Sequence, residues 1–307
     1  LPGPSPGAIA SCRDKSLQAA TLFAARFAVP YPNIAITNAA EALHAIRTVG
    51  LPAVIKPVSG TGSTGVALVR SDKELIAAAD IVLREKVNGR GQPIVPRALV
   101  MPYVQGEEYS VELLNGEVLG VTRKHLGPLP HFVEIGHDFP APIPEALREL
   151  IEDTARRAVF AVDHVVGPAH VELRASDGKA TIIEINPRLA GGSIPRLIEL
   201  ATGIDVIAAV IEGALGRAAP VASSSRTFGA LRFIVPKANG AFSIAGQTDD
   251  IATRFGLAEV AIYRILPFNF ERNNDFRDRL GHVIAVDADP AAAARRADAA
   301  ITHLCRG

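Results

Sequence analysis

Glu172, Glu184, Asn186 and Arg188 are the residues whose types and spacing most plainly allow chemistry. The two glutamates each interrupt an apolar run, His170-Val171-Glu172-Leu173 and Thr181-Ile182-Ile183-Glu184-Ile185. Between the runs, Ser176-Asp177-Gly178-Lys179 is a hairpin turn signal. Side chains alternate faces along a strand. A two-residue loop centred on Asp177-Gly178 therefore sets the carboxylates on opposite faces, and a loop with an odd number of residues sets them on the same face. The chemistry argues for the odd loop. Two carboxylates and the Asn186 amide on one face make a hard-oxygen site for Mg²⁺. Arg188, just beyond, would meet a phosphate or a developing oxyanion. The plain alternative is a surface hairpin with solvated charges.

Upstream lies a second chemical stretch. Lys56 sits in the apolar run Pro52-Ala53-Val54-Ile55-Lys56-Pro57, and a lysine there needs an anionic partner. Ser59-Gly60-Thr61-Gly62-Ser63-Thr64-Gly65 follows, and then the strand-like Val66-Ala67-Leu68-Val69. Glycines and hydroxyls between two strands suit a flap whose backbone N–H groups approach phosphate. No Gly-Lys-Ser/Thr closes the loop and no helix follows it, so it is neither a P-loop nor a dinucleotide fingerprint. Residues 97–104 form an apolar strand that ends without helical periodicity, a place suited to a flat ring held by backbone groups. Residues 106–114 and 118–122 alternate with period two around Asn115-Gly116, a clear hairpin. The stretch 123–144 reads as long, irregular and rich in His, Pro and charge, with Lys124, His125, His131, Glu134, His137 and Asp138. Such connections tend to be functional.

The elements around these stretches mix helix and strand. Helices are expected from Asp14-Lys15 to about 28, from the Thr37-Asn38 cap to Gly50, from 72 to about 87 and from 144 to about 162. Others are expected over 194–201 and 205–215, with an Ala-rich helix closing the chain from 289 to about 305. Residues 1–11 and the glycine-rich patch 88–93 read as loops. Residues 218–225 read as a small-residue linker and a domain boundary. The rest of the C-terminal part reads as short strands and turns.

Composition sets the outer bounds. The 307 residues are 48% hydrophobic and 21% charged, with 32 basic and 32 acidic side chains. That is an ordinary globular mixture with no extended nucleic-acid footprint. No apolar run is long enough to span a bilayer. Cys12 and Cys305 lie near opposite ends without metal-ligand spacing, and a reducing cytoplasm is the expected location. The chain starts at Leu1, and its single methionine is Met101. A preceding segment is therefore expected.

In this order the motifs resemble the ATP-grasp superfamily, within its carboxylate–amine ligases and nearest to the L-amino-acid ligases (dipeptide synthetases). The cues are a lysine opening a helix, a second lysine before a Ser/Thr/Gly flap, Gly106-x-Glu108, and Glu184-Ile185-Asn186-Pro187-Arg188-Leu189-Ala190-Gly191-Gly192. Phe132-Val133-Glu134-Ile135-Gly136-His137 and Arg279-Leu280-Gly281-His282 add to them. The resemblance implies an α+β ATP-grasp fold in which two subdomains grip ATP, residues 14–100 and 101–220. A C-terminal α+β subdomain would cover 221–307, and residues 1–13 would be a linker left from a preceding N-terminal domain.

Site roles follow from the same resemblance. Lys15 and Lys56 would contact ATP phosphates beneath a flap that includes Ser59, Gly60, Gly62, Ser63 and Gly65. Met101, Tyr103 and Val104 would form the adenine hinge, and Glu108 would take the ribose. Glu172, Glu184 and Asn186 would hold one or two Mg²⁺ ions, with Mn²⁺ as a substitute. Arg188 would act on the transferred phosphoryl group together with Lys56. Glu134, His137, Arg188, Gly191 and Gly192 would shape the amino-acid pocket. The implied reaction joins a carboxylic acid to an amine through an acyl phosphate, releasing ADP and phosphate. Its partners are ATP and small molecules, not nucleic acid or membrane, and a homodimer is common in the family. The rival readings are an ATP-grasp carboxylase, a nucleotide-biosynthesis ligase, and a non-catalytic ATP-binding module. Two departures stand out: Met101 occupies a position where many relatives carry glutamate, and Gln18 and Ala19 stand near where an arginine often follows the first lysine.

Overall fold

The computed structural model describes residues 3–87, 91–94, 96–217, 227–244 and 246–305. The chain enters through two short helices, α1 (Pro6–Arg13) and α2 (Lys15–Ala24). Composition reads residues 1–11 as loop. Instead, the Ser5 hydroxyl accepts from the Ala8 N–H, Pro6 opens the first turn, and Ala8 and Cys12 are buried. The cap and the burial outweigh the Pro/Gly content. Asp14 then caps α2 by accepting from Ser16 and Leu17 N–H. That helix ends before the expected residue 28, with Arg26 in the left-handed region at φ 68°.

A four-stranded antiparallel sheet follows. Its elements are β1 (Ile34–Ile36), α3 (Ala39–Val49), β2 (Ala53–Pro57), β3 (Ala67–Val69), α4 (Asp72–Arg84) and β4 (Ala98–Pro102), with strand order β1-β4-β2-β3. Asn38 and Ser71 cap the two helices by accepting from Glu41 and Glu74 N–H. Ala42, Ala45, Leu75 and Ala79 pack on Ile36, Ile55 and Val100. Part of the expected glycine-rich loop at 88–93 lies outside the described residues.

The rest of the chain builds an eight-stranded sheet, a separate two-stranded pair and the helices around them. In chain order it comprises β5 (Glu107–Leu114), β6 (Glu117–Leu126), β7 (Glu134–Phe139), α5 (Glu145–Ala161), β8 (Pro168–Ser176) and β9 (Lys179–Asn186). Then come α6 (Ile194–Thr202), α7 (Val206–Ala214), β10 (Phe228–Ile234), β11 (Gly240–Phe242), α8 (Thr248–Phe255), β12 (Glu259–Ile262), β13 (Phe268–Phe270), β14 (Gly281–Asp287) and α9 (Pro290–Leu304). The sheet order is β12-β14-β10-β7-β6-β5-β8-β9, while β11 and β13 pair separately. Helix α8 is absent from the sequence expectation of strands and turns alone. The expected linker at 218–225 lies outside the described residues. Beyond it, β10 pairs with β7, so the C-terminal strands extend the same sheet.

The stretch 123–144 is more ordered than its composition suggests. Residues up to Leu126 continue β6, and Glu134–Phe139 form β7, paired with β6 through Lys124↔His137. The alternation is hard to see in sequence because the inward face of these strands is polar. On the opposite face, Tyr109, Val111, Val121, Val171, Leu173 and Ile185 form an apolar core against α5. Cys12 of α1 and Leu22 of α2 join that core. The first two helices thus pack on the large sheet.

Strand β9 is an edge, and its exposed backbone groups are used. Gln18 donates from Nε2 to Ile185 O at 2.7 Å and accepts from Ile185 N–H at 2.8 Å. Ile182 N–H donates to Ala28 O. This buried two-point clasp fixes α2 against β9, and so fixes Lys15 relative to Glu184.

Candidate active site

The β8–β9 hairpin differs from expectation in its loop and agrees in its outcome. The loop has two residues, Asp177 and Gly178, both at positive φ, with Ser176 paired to Lys179. An odd loop is not needed, because a β-bulge supplies the missing residue. The register runs Leu173↔Ile182 and then Glu172↔Glu184, which leaves Ile183 as the extra residue in β9. A bulge shifts the parity of everything beyond it. Glu172 and Glu184 therefore stand directly opposite on one face, with His170 opposite Asn186.

That face continues across the sheet as a band of polar side chains. Ser110 pairs with Glu172, Glu112 with His170, Glu108 with Arg174 and with Lys124, and Lys124 with His137. Lys124 lies at the centre of the band, with a 1% exposed side chain 2.6 Å from Glu134 and 3.3 Å from both Glu108 and Glu172. Burial works against its charge, but the carboxylates prevail and hold its pKa well above the usual lysine value. Glu172 is partly buried, with a 21% exposed side chain. Desolvation alone would raise its pKa, yet Lys124 and His170 hold it well below the carboxylate range. His170 bridges Glu112 at 2.8 Å and Glu172 at 3.0 Å, and Ser110 Oγ donates to Glu112. The two carboxylates overcome the burial penalty and raise the His170 pKa to about 10. This chain of contacts fixes the orientation of Glu172. Sequence reasoning passed over Lys124, His170, Glu112 and Arg174 as site residues. The legible signal was period-two polarity in Glu108-x-Ser110-x-Glu112 and His170-x-Glu172-x-Arg174.

The cleft in front of this face has a volume of about 870 Å³. Lys15, Lys56, Glu172, Glu184, Asn186 and Arg188 converge on it. Lys15 Nζ lies 3.2 Å from Glu184 and donates to Gly60 O at 2.9 Å. Lys56 is buried in β2, and desolvation lowers its pKa from 10.5 to about 8, partly offset by Glu184. Arg188 is exposed, donating to Leu189 O at 2.8 Å and to the Asn186 amide oxygen at 3.4 Å.

At the other end of the cleft, Met101, Tyr103, Val104 and Glu108 line the wall with Phe132 and Arg174. The Arg174 guanidinium lies 5.3 Å from the Tyr103 ring and 5.4 Å from the Phe132 ring, and donates to Val104 O and to Glu108. Gly60, Gly62 and Ser63 border the cleft from the flap, which is anchored at several points. Ser63 Oγ donates to Phe132 O, Thr64 Oγ1 to Asp275, and Phe276 N–H to Gly62 O.

An adjoining cavity of about 1380 Å³ takes Ser59, Gly65, Gly191 and Gly192, and shares Glu134, Glu172 and Arg188 with the first. His137 lines neither. It is fully buried behind Gly192, edge-on to Phe233 and 3.6 Å from Glu134, and burial depresses its pKa to about 3. Glu134 is bound to both Lys124 and Arg279, which hold its carboxyl well below the usual range against its burial.

The donors suit a hard cation. Glu172, Glu184 and Asn186 offer only oxygen, the chemistry that Mg²⁺ selects when water and phosphate complete its shell. Among the described residues no cluster of three or more His, Cys, Asp or Glu side chains has metal-binding geometry, so three-carboxylate cages are not part of this site.

The model of the family described as "ATP-grasp domain" matches residues 49–196. The chain carries an ATP-grasp domain. An L-amino acid ligase from Bacillus licheniformis shares the ATP-grasp fold, with a TM-score of 0.80 over 97% of this chain and 73% of that one, at 22% identity. An uncharacterized protein, y4rH, of Sinorhizobium fredii is 36% identical over 286 residues, 93% of this chain and 59% of that protein. Human carnosine synthase 1 is 27% identical over 233 residues, 70% of this chain and 28% of that protein. The chain thus spans less than two thirds of these curated relatives. Among the described residues of the ATP-grasp chain, no helix is long and apolar enough to cross a membrane.

The titration of Lys56 gives a first test. Its folded pKa of about 8 means that it is cationic below that pH and neutral above it. We expect kcat/KM for ATP to be flat up to about pH 7 and to fall as pH rises through about 8, with Lys56→Arg flattening the decline. Stability should run the other way. Between about 8 and 10.5 the unfolded chain holds the proton that the folded one has lost, so this group makes stability rise with pH over that window. Titration calorimetry and a pH–rate profile read the two trends.

Proposed function

We propose that this chain is an ATP-dependent carboxylate–amine ligase that forms an amide bond through an acyl phosphate. The observation that carries the reading is the convergence of Lys15, Lys56, Glu172, Glu184, Asn186 and Arg188 on one cleft beside a second cavity. Residues 14–100 and 101–220 act as the subdomains that grip ATP, and 221–307 supply the C-terminal subdomain. Tyr103, Val104 and the buried Met101 hold the base, Glu108 meets the ribose, and Lys15 and Lys56 draw the phosphates under the flap. Glu172, Glu184 and Asn186 would hold one or two Mg²⁺ ions, which would supply neutralisation of the phosphate charge.

The chemistry follows from what a carboxylate lacks. Its leaving group would be oxide, so no amine displaces it. Attack of a carboxylate oxygen on the γ-phosphorus breaks the bond to ADP and gives a mixed anhydride. Phosphoryl transfer needs positioning and charge neutralisation more than covalent help. Arg188 supplies a fork of donors for the transferred group. The amine then attacks the acyl carbon, the C–O electron pair leaves with phosphate, and the amine proton passes to solvent. The anchored flap restricts water, which competes with the amine. The second cavity adjoins the first at Glu134, Glu172 and Arg188 and takes the amine reactant beside the transferred group.

The test is a phosphate-release screen over a matrix of amino acids and small carboxylic acids, with mass spectrometry of the products. Amide products matched by equal ADP are expected. Bicarbonate-dependent turnover would favour a carboxylase, and ATP binding without ADP release in any mixture would favour a binding module.

A further inference from the structure

Arg279 is a buried cation that the proposed chemistry leaves unused, and a role for it rests on the ligase reading. Its side chain is 9% exposed. Nε donates to Glu134 O at 3.1 Å and Nη2 to the Glu134 carboxylate at 2.9 Å. The guanidinium carbon lies 4.2 Å from the centre of the Phe233 ring. Two of its three nitrogens are therefore spent on orientation, and an aromatic face fixes its plane.

The third nitrogen, Nη1, makes no hydrogen bond among the described residues. It faces the Gly191-Gly192 turn, where a Cβ built on Gly192 would lie 3.6 Å from it. Gly192 has φ 60°, and the same Cβ would come within 2.8 Å of His137 Nε2. Only glycine leaves this space open.

Arg279 borders the second cavity and is absent from the wall of the first, whereas Arg188 borders both. The two arginines thus serve different anions. Arg188 is placed for the group that passes from ATP, and Arg279 for an anion that stays away from the nucleotide. A guanidinium prepared in this way suits a carboxylate. The cavity wall also carries an apolar group, Val82, Val87, Ile94, Leu189, Ile194 and Phe276, beside the polar Ser59, Thr61, Thr64, Glu85 and His170.

From this geometry we infer that Arg279 anchors the free carboxylate of the amine co-substrate, an α-amino acid with an apolar side chain. Glu134 braces the anchor, since both of its oxygens are engaged by Lys124 and Arg279. That differs from the expectation that Glu134 and His137 themselves form the amino-acid pocket.

The experiment measures ADP formation by the full chain with L-leucine or L-leucinamide as acceptor, the acid partner being drawn in turn from the common amino acids and short carboxylic acids. Loss of a charge-assisted contact should raise the acceptor KM for leucinamide by about 10- to 100-fold over leucine. Arg279→Lys should raise the KM for leucine about 10-fold, with the KM for ATP unchanged. Arg279→Gln should bring leucine and leucinamide within about two-fold of each other. The comparison of the two acceptors needs no variant, so a folding defect in either substitution leaves it intact. Equal use of leucinamide and leucine by the wild type would overturn the anchor while the ligase reading stands. So would a raised KM for the acid partner in place of the acceptor in Arg279→Lys, or a preference for glutamate or lysine over leucine as acceptor. No ADP with any pair would overturn the ligase reading and the anchor together.

Discussion

Arg188→Ala should lower ATP-dependent phosphate release by about 10²- to 10³-fold, the usual loss when one charge-stabilising donor is removed from an acyl- or phosphoryl-transfer site. Arg188 is exposed and its hydrogen bonds are local, to Leu189 O and Asn186. Its removal should therefore leave the folding free energy within about 0.5 kcal/mol, as for most surface substitutions. The combination of lost turnover and retained melting temperature separates a chemical role from a structural one. Arg188→Lys should recover only part of the rate, because a point charge replaces a planar fork. A coupled ADP assay and calorimetry on the same samples check both halves. Unchanged turnover in Arg188→Ala would remove this residue from the chemistry.

Lys124→Met should have the largest effect on stability. The ammonium sits among Glu108, Glu134 and Glu172 with a 1% exposed side chain. Methionine fills similar volume but leaves three partly buried carboxylates, 12–21% exposed, without their shared counter-ion. Breaking a buried ion pair from one side costs about 3–5 kcal/mol, which in a chain of this size lowers Tm by about 10 °C. Adding Glu134→Gln to Lys124→Met should restore part of the loss, since neighbouring changes couple. The pH dependence carries the same signature. Glu134 and Glu172 have pKa values depressed by folding, so their contribution is present above the ordinary carboxylate range and fades as pH falls. Lys124 has a raised pKa, and its contribution is lost only at strongly alkaline pH. A Tm for Lys124→Met within 2 °C of the wild type, roughly the effect of under 1 kcal/mol, would mean that the cluster is solvated.

The residue types gathered on this face were more legible in the sequence than the geometry that gathers them. Glu172, Glu184 and Asn186 could be grouped because each interrupts or ends an apolar run, and Lys56 because a lysine inside a strand needs an anion. The way they come to share a face was not legible. Ile183 is apolar like its neighbours, and nothing in Thr181-Ile182-Ile183-Glu184 marks one residue as the bulge that corrects a two-residue turn. Lys124 and His170 were in view but given no place in the site, for a related reason. Strands whose inward face is polar lose the apolar alternation that makes strands visible, so residues 123–139 read as irregular although they hold the end of β6 and all of β7. His137 drew attention as a titratable group in that stretch, yet only the fold shows that it is fully buried and lines neither cavity. Gln18 stood out as a departure from a family pattern. Its role, a clasp on the open edge of β9, depends on a partner 167 residues away.

The most direct measurement of the central claim follows an oxygen atom. With the acid substrate labelled with ¹⁸O in its carboxylate, attack on the γ-phosphorus transfers one labelled oxygen to the released phosphate for every amide bond formed. Mass spectrometry of that phosphate should therefore show one ¹⁸O per turnover, with unlabelled ADP. Label in AMP, or unlabelled phosphate alongside amide product, would contradict the acyl-phosphate mechanism assigned to the face that bears Glu172 and Glu184.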